Sequence, residues 1–255
     1  MKINKIKTLS AREIELLTRL EFEGKEIYTR KKIISFCKDK RNAVYLIKKL
    51  LEKKRLRKII KNIYFLVPMK APQGRWTANE YLISKALARK ATYYIGYSTV
   101  FNSYGFVDQI AQLVHVVNDR YSMSKTIFGV PYKLMKVLPN RFYGLEKRKI
   151  NHEDVIFPKK ERAMIDVFEF YSVSGACNIL RNQKDKLNMV LFIEYLAQYP
   201  VQSIRRRMGY FLEQLNISNN LLNKIDVGEK GYSPLYYSRS NKGKIDKRWR
   251  LIING

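Results

Sequence analysis

The chain has 255 residues, enough for one large domain or two ordinary ones. Its 50 Lys and Arg residues outnumber 22 Asp and Glu residues, which gives a formal net charge of +28. The hydrophobic fraction of 46% argues against a disordered basic tail, because such tails lack the apolar surface that offsets chain entropy. A folded protein of this charge is suited to bind a polyanion. A small acidic substrate does not explain the charge, because such a substrate needs only a local basic patch.

Cysteine usage and hydropathy bear on the compartment. Cys37 and Cys177 are the only cysteines, and their separation indicates neither a disulfide framework nor a metal-ligand cluster. The basic N-terminal residues lead into no apolar segment of the kind found in signal peptides. The longest run without a charge, residues 91–107, is short and contains several polar side chains. We therefore expect a cytoplasmic protein with no membrane partner.

Positive charge is concentrated in the first part of the chain. Residues 1–75 carry a net charge of +15, and residues 29–62 alone contain 14 basic and two acidic side chains. This concentration is typical of a nucleic-acid-binding surface. A solvated lysine-rich face would have the same composition, so the local organisation has to distinguish the two.

A capping box predicts the first helix. In residues 10–13, the hydroxyl of Ser10 and the carboxylate of Glu13 can each accept a hydrogen bond from a free backbone N–H at a helix start. We expect the helix to run from about residue 11 to residue 22, with Gly24 after its end. The apolar positions expected to face the core are Ile14, Leu16, Leu17 and Leu20.

Two further helices are expected before residue 54. Thr29 is a suitable N-cap for a helix through Cys37, and a third helix should start at Asp39 or Lys40 and end near Lys53. The inward positions expected for the third helix are Val44, Ile47, Leu50 and Leu51. Its outward face would then carry Arg41, Asn42, Tyr45, Lys48 and Lys49.

Two β-rich runs follow, at residues 56–60 and 63–67. They are separated by Lys61 and Asn62, a two-residue hairpin signal because Asn tolerates a positive φ. Three short helices and a basic-tipped hairpin predict a winged helix-turn-helix domain over residues 1–75. In that architecture the third helix enters the major groove of double-stranded DNA and the wing lies along phosphates.

The predicted DNA contacts follow from this placement. Arg41 and Asn42, at the start of the third helix, are candidates to read bases, since Arg suits guanine and Asn suits adenine. Tyr45 is a candidate for the DNA backbone, although partial burial in the core is an equally good interpretation. The full set of predicted DNA-binding residues is Arg30, Lys31, Lys40, Arg41, Asn42, Tyr45, Lys48, Lys49, Arg57, Lys58 and Lys61.

Residues 68–75 have the composition of a linker, and a second capping box at residues 77–80 predicts a helix to about residue 88. Strand-like runs lie near residues 92–96, 113–117, 133–138 and 142–150, with a helix at residues 98–104. Helical patterns follow from residue 159, and a closing strand is expected at residues 248–253. The sequence therefore predicts an α+β protein, whose larger mixed α+β domain spans residues 76–255.

Enzyme signatures are weak in this sequence. It contains no phosphate-binding P-loop, no dinucleotide-binding glycine motif and no nucleophile elbow. His115 and His152 are the only histidines, so a His/Cys metal cluster is not expected. Two E-x-K patterns, at residues 23–25 and 52–54, match many nucleases, but a lysine-rich chain produces such matches by chance. We expect no enzymatic activity, no cofactor and no metal, while a carboxylate site formed by distant residues stays open.

Four segments, in order, resemble the AbiEi family of antitoxins. They are RKIIKNIY at residues 57–64, IGYSTVFNSYG at 95–105, PKKERAMID at 158–166 and GKIDKRWRLIIN at 243–254. The resemblance implies an antitoxin and transcriptional regulator of a type IV toxin–antitoxin, or abortive-infection, pair. Such a protein represses its own operon by binding inverted repeats near the promoter. Its C-terminal domain opposes a nucleotidyltransferase-like toxin without needing a stable complex with it.

The resemblance also implies that the C-terminal domain assists DNA binding. Auxiliary phosphate contacts would then come from Arg205, Arg206, Arg207, Lys247 and Arg248. A solvated helix face and an exposed tail explain the same residues equally well. Three other functions stay open: a nuclease targeted by a winged helix, a transcriptional regulator that is not an antitoxin, and a lysine-rich structural or RNA-binding protein.

Overall fold

The computed structural model describes residues 8–71 and 76–254 of a mixed α+β chain. Two units divide it: residues 1–90, 126–130 and 148–155 form the first, and residues 91–125, 131–147 and 156–255 form the second. The boundary predicted at residue 75 lies outside the described residues, together with the end of the predicted linker. The first unit extends further than expected, because it includes the helix Glu80–Ala88 and two short downstream segments.

The first unit begins with α1 (Ala11–Phe22), β1 (Ile27–Thr29), α2 (Arg30–Ser35) and α3 (Lys40–Glu52). The predicted caps are present. Ser10 and Glu13 form the capping box, in which the Glu13 carboxylate accepts from the Ser10 N–H at 2.6 Å. Thr29 caps α2, and the Asp39 carboxylate caps α3 by accepting from two backbone N–H groups, at 3.2 and 2.8 Å. These bonds fix where each helix starts.

A small antiparallel sheet completes this part of the first unit. The predicted hairpin is confirmed as β2 (Leu56–Ile60) and β3 (Ile63–Leu66), and Asn62 in the turn has a φ of 64°. β1, which was not predicted, pairs with β3 and gives the strand order β1-β3-β2. After this sheet comes α4 (Glu80–Ala88), which starts two residues later than expected because Asn79 is its cap.

The core of the first unit joins α1, α2 and α3 to this sheet, and its fully buried side chains include Leu17, Leu20 and Tyr28. Two predicted core positions are wrong: Ile14 is 41% exposed and Val44 is 38% exposed. The buried positions of α3 are Ala43, Leu46, Ile47 and Leu50. These positions are separated by three, one and three residues, which is helical spacing and centres the buried stripe one position before the predicted one. Small Ala43 is therefore buried in preference to the larger Val44.

A four-stranded sheet follows, built from β4 (Tyr93–Ile95), β5 (Val114–Asn118), β6 (Met123–Ile127) and β7 (Val130–Lys136). Its order is β4-β5-β7-β6, with β4 antiparallel and β7 parallel to β5. A short helix, α5 (Ser98–Phe101), connects β4 and β5. A two-stranded sheet comes next, formed by β8 (Leu145–Ile150) and β9 (Glu153–Pro158). Of these strands, β6 and β9 were not predicted.

The rest of the chain is mainly helical, as expected. The helices are α6 (Lys160–Phe170), α7 (Val173–Gln183), α8 (Met189–Gln198), α9 (Gln202–Gln214) and α10 (Asn219–Leu222). A last sheet contains β10 (Ser233–Pro234), β11 (Lys244–Asp246) and β12 (Leu251–Ile253), in the order β10-β12-β11. The predicted closing strand is present but shorter. Among the described residues, no helix combines the length and apolar character that a membrane crossing requires.

Candidate nucleic-acid interface

The outward face of α3 carries the polar side chains that the sequence predicted there. Arg41, Tyr45 and Lys48 are exposed, Tyr45 to 57%, whereas Asn42 and Lys49 are half-buried. The opposite face of the helix is packed into the core. The burial of Tyr45 that the sequence left open is therefore not observed. The Asp39 cap places Arg41 and Asn42 in the first turn of α3.

Charges on this face differ in how far they are neutralised. Lys49 donates to Glu52 at 3.2 Å and lies 5.6 Å from the centroid of the Tyr45 ring. The hydrogen bond to Glu52 raises the pKa of Lys49. No described carboxylate lies within ion-pair distance of Arg41 or Lys48. These two cations therefore carry the unneutralised charge of the helix face.

The β2–β3 hairpin presents a second basic feature. Lys58 and Lys61 are exposed, the latter in the turn. Arg57 behaves differently, because its guanidinium stacks on the ring of Phe128 at 3.7 Å from the centroid, and burial lowers its pKa. Arg57 was predicted to contact DNA, but its guanidinium packs against Phe128 within the first unit. The partner comes from a segment more than 60 residues downstream, so local sequence gave no signal for it.

The remaining candidates of the first unit lie at helix starts. Arg30 and Lys31 begin α2, and Lys40 begins α3. Lys31 and Lys40 are exposed, and Arg30 is half-buried. They belong to the same unit as α3 and the hairpin, and they stay candidates for phosphate contacts.

Arg205, Arg206 and Arg207, predicted as auxiliary phosphate contacts, are buried, with 9%, 3% and 1% of their surface exposed. Neither expectation for them, phosphate binding or a solvated helix face, agrees with this burial. A guanidinium has five N–H donors and can therefore saturate several carbonyl groups at once. All three residues therefore lie outside the candidate interface.

Each of these arginines binds chain that lies outside α9. Arg205 donates to the Tyr199 carbonyl at 2.9 Å and to Asp226 at 3.2 Å. Arg206 donates to the carbonyls of Val227 and Lys230 at 2.7 and 2.9 Å. Arg207 donates to the carbonyls of Pro234 and Leu235 and to the hydroxyl of Tyr237. The triplet fastens the irregular segment 226–237 to α9.

The two predicted contacts in the C-terminal segment are both exposed. Arg248 forms an ion pair with Glu213 and donates to Asn219 and Asn223 at 2.8 and 3.2 Å. Its guanidinium is therefore engaged within the second unit. Lys247 has no ion pair with any described residue, and it is the auxiliary candidate that stays available.

Sequence reasoning missed a buried cluster of charges in the second unit. Arg162 and Asp166, four residues apart on α6, are both fully buried and form an ion pair at 2.6 Å. Arg141 binds Glu169 at 2.9 Å through one nitrogen and through a second, shorter contact. The hydroxyls of Tyr94, Tyr97 and Tyr199 complete the cluster.

The charges of the cluster are paired, although Arg141 Nε and Arg162 Nε are buried without a hydrogen-bond partner in the residues that the structure describes. Burial alone would raise the pKa of Glu169, but the hydrogen bonds and charge of Arg141 and the hydrogen bonds of two tyrosines lower it. Burial raises the pKa of Asp166, although the charges of Arg162 and Arg141 act in the opposite direction. Each carboxylate is paired with an arginine, which suits a structural role better than proton transfer. Among the described residues, no group of three His, Cys, Asp or Glu side chains is placed to hold a metal ion.

No protein-family model matches this sequence, and no curated protein does. Among solved structures, the chain is similar to the crystal structure of the RV2827C protein from Mycobacterium tuberculosis. The two share 12% sequence identity with a TM-score of 0.66, over 96% of this chain and 92% of that one. At this identity the likeness concerns the fold alone.

Proposed function

We propose that the first unit is a winged helix-turn-helix domain that binds double-stranded DNA. The observation that carries this proposal is the two-sided character of α3. Its inner face is buried, and its outer face presents Arg41, Asn42, Tyr45 and Lys48 next to a hairpin with a basic turn. The strand order β1-β3-β2 provides the sheet that such a wing needs.

The contacts divide into two kinds. Arg41 and Asn42 read base edges from the first turn of α3 in the major groove, where a bidentate Arg or Asn contact distinguishes base pairs. The other contacts are to phosphates and set the register of the protein on the duplex. They come from Arg30, Lys31, Lys40, Tyr45, Lys48, Lys49, Lys58 and Lys61, with Lys247 as an auxiliary contact.

The biological role in this proposal is that of an antitoxin which represses its own toxin–antitoxin operon and counteracts a nucleotidyltransferase-like toxin. This part rests on the resemblance of four sequence segments to AbiEi antitoxins. A cytoplasmic location follows from the role, because operator DNA and toxin are both there. A reading frame for a nucleotidyltransferase beside this gene would support the pairing.

The decisive experiment measures binding of the purified protein to a duplex carrying its own upstream region. A random duplex of equal length serves as the reference, and both are titrated at low and moderate salt. We expect selective, salt-dependent binding to the upstream duplex. Equal affinity for both duplexes would contradict the repressor, and a preference for RNA would favour an RNA-binding protein.

The same samples test the nuclease alternative. Intact duplex is incubated with the protein and Mg²⁺ or Mn²⁺, and its integrity is followed on a gel. We expect it to remain uncut. Metal-dependent loss of the duplex would replace the repressor by a nuclease that is targeted by the same domain.

A further inference from the structure

A cavity of about 620 Å³ lies in the first unit beside the β2–β3 turn. Sheet residues and α4 supply most of its lining, and Glu153 of β9 completes it. The volume is within the range found for sites that bind small molecules. The proposed DNA contacts account for Lys61 in this lining and leave the rest of the cavity unexplained.

The lining combines an apolar wall with a cationic rim. Its apolar side chains are Ile27, Ile63, Leu82 and Ala86. Its charged side chains are Lys61, Lys85, Arg89, Lys90 and Glu153. The single carboxylate is already neutralised, because Lys85 binds Glu153 at 3.0 Å.

Three rim cations lack a counter-ion within the described part of the chain. Lys61, Arg89 and Lys90 are exposed, and no described carboxylate is within ion-pair distance of any of them. An apolar wall favours a ligand with a hydrocarbon or aromatic body. Unpaired cations beside that wall favour a ligand that carries an anionic group. Both demands are met together by an amphipathic anion.

We propose that this cavity binds a small amphipathic anion, with its apolar body between the sheet and α4 and its carboxylate or phosphate at the cationic rim. Lys61 and Asn62 line the cavity and also form the hairpin turn. This binding has a regulatory consequence, which rests on the proposed function: the bound anion engages Lys61 and removes it from its phosphate contact on DNA. The anion then weakens DNA binding, and DNA weakens anion binding by the same factor.

The first test uses octanoate as the probe and the full chain without DNA, with calorimetry at constant ionic strength. Octanol has a similar chain without the charge, and inorganic phosphate has the charge without the chain. We expect octanoate to bind at least about tenfold more tightly than either control ligand. Equal affinities for octanoate and phosphate, or no binding of octanoate, would overturn the proposal.

A matched pair of variants tests the rim. Arg89 and Lys54 are both exposed cations with positive φ, 56° and 58°, so glycine suits both backbones. Only Arg89 lines the cavity. We expect Arg89→Gly to weaken octanoate binding about tenfold and Lys54→Gly to leave it unchanged. If both variants weaken octanoate binding equally, the probe is attracted by the general positive charge and not by this cavity, and the proposal is overturned.

The wall is tested by Ala86→Phe, which fills the cavity, with circular dichroism as the check of folding. We expect a loss of octanoate binding of about tenfold or more. Unchanged affinity in a folded Ala86→Phe protein would place the anion elsewhere and overturn the proposal. Should this variant not fold, Arg89→Gly decides the question alone.

The regulatory consequence is measured on the complex with the upstream duplex. Octanoate should lower the duplex affinity of the wild-type protein several-fold and that of Arg89→Gly much less. Octanoate binding without any change in duplex affinity would overturn the coupling. The two proposals fail separately, because octanoate binding without DNA binding refutes the repressor, and DNA binding without octanoate binding refutes the cavity ligand.

Discussion

At the scale of single residues, Arg41 offers the sharpest test of base reading. It is exposed in the first turn of α3 and has no ion pair with a described residue. We expect Arg41→Ala to cost about 1 to 3 kcal/mol of binding free energy on the upstream duplex and to relax the preference at one base pair. Binding to a random duplex should change little, as measured by fluorescence anisotropy.

The control for Arg41→Ala is Arg12→Ala. Arg12 is an exposed arginine in the first turn of α1, so it matches Arg41 in charge and in position within a helix. It differs in that it lies on α1 and not on the proposed DNA-contacting face of α3. Arg12→Ala should leave both affinities nearly unchanged. Equal losses on upstream and random duplex for Arg41→Ala would assign Arg41 to phosphates and not to bases.

His115 predicts a pH dependence of stability. Its ring is buried in β5 among Tyr97 and Phe170, with Ser98 Oγ 3.1 Å from Nδ1, and burial together with the charge of Lys133 lowers its pKa to about 4. The unfolded chain binds this proton near pH 6.5 and the folded chain only near pH 4. The contribution of His115 to the free energy of unfolding is therefore fully present above pH 6.5 and is lost as the pH falls towards 4.

The size of this effect follows from linkage. Between pH 7 and pH 5, His115 should cost about 2 kcal/mol of unfolding free energy, measured by urea denaturation. His115→Gln should lose this part of the pH dependence, while His152→Asn, at the other and exposed histidine, serves as the matched control. If wild type and His115→Gln lose the same stability on acidification, the buried imidazole is not responsible.

At the scale of secondary-structure elements, α9 depends on a glycine. A Cβ at Gly209 would overlap the indole ring of Trp249, which is 2% exposed and donates to Glu213 at 2.6 Å. Alanine favours a helix by about 1 kcal/mol over glycine. Overpacking a buried aromatic ring costs about 1 to 3 kcal/mol or more and should dominate. We expect Gly209→Ala to destabilise the chain in urea denaturation.

Two further variants isolate the cause. Gly175, also within a helix, has room for a Cβ after a small movement of the Ser172 hydroxyl, so Gly175→Ala should have little effect on stability. Adding Trp249→Leu to Gly209→Ala should cost less than the sum of the two single changes, because the clash is removed. Additive losses would show that the two positions are not coupled.

Elements were predictable where their signal is local. Ser10, Thr29 and Asp39 cap helices within three residues of themselves, and Asn62 marks its turn by its own backbone preference. β1 was missed because its three residues are too few to show alternation. The buried stripe of α3 was placed one residue too late for a different reason, because Val44 is more hydrophobic than the small Ala43 that is buried in its place.

The arginines show why the candidate site was only partly predictable. Arginine is mostly exposed, so a triplet in a helix predicts a solvated face. Arg207 is buried because its partners, the carbonyls of Pro234 and Leu235, lie 27 and 28 residues further along the chain. Arg57 likewise has a partner that is distant in sequence, because its guanidinium stacks on Phe128. Only the folded chain distinguishes the buried Arg207 and the half-buried Arg57 from the exposed Arg41 and Lys48.

At the scale of the whole molecule, the net charge of +28 and the number of phosphate contacts are different quantities. The full charge accelerates encounter with any polyanion. The salt dependence of the affinity, in contrast, counts only cations that neutralise phosphates in the complex. The candidate cations of the first unit, other than the proposed base reader Arg41 and the packed Arg57, are Arg30, Lys31, Lys40, Lys48, Lys49, Lys58 and Lys61.

These contacts predict a slope of log K against log salt of about −6 for one protein bound to one half-site, far from the value that 28 charges would give. Lys61→Ala should make the slope shallower by about 1 and weaken upstream and random duplexes alike. Lys186→Ala, which removes an exposed lysine from the second unit, should leave the slope unchanged. Equal changes in the slope for both variants would mean that DNA responds to total charge, and the hairpin would lose its assignment as a wing.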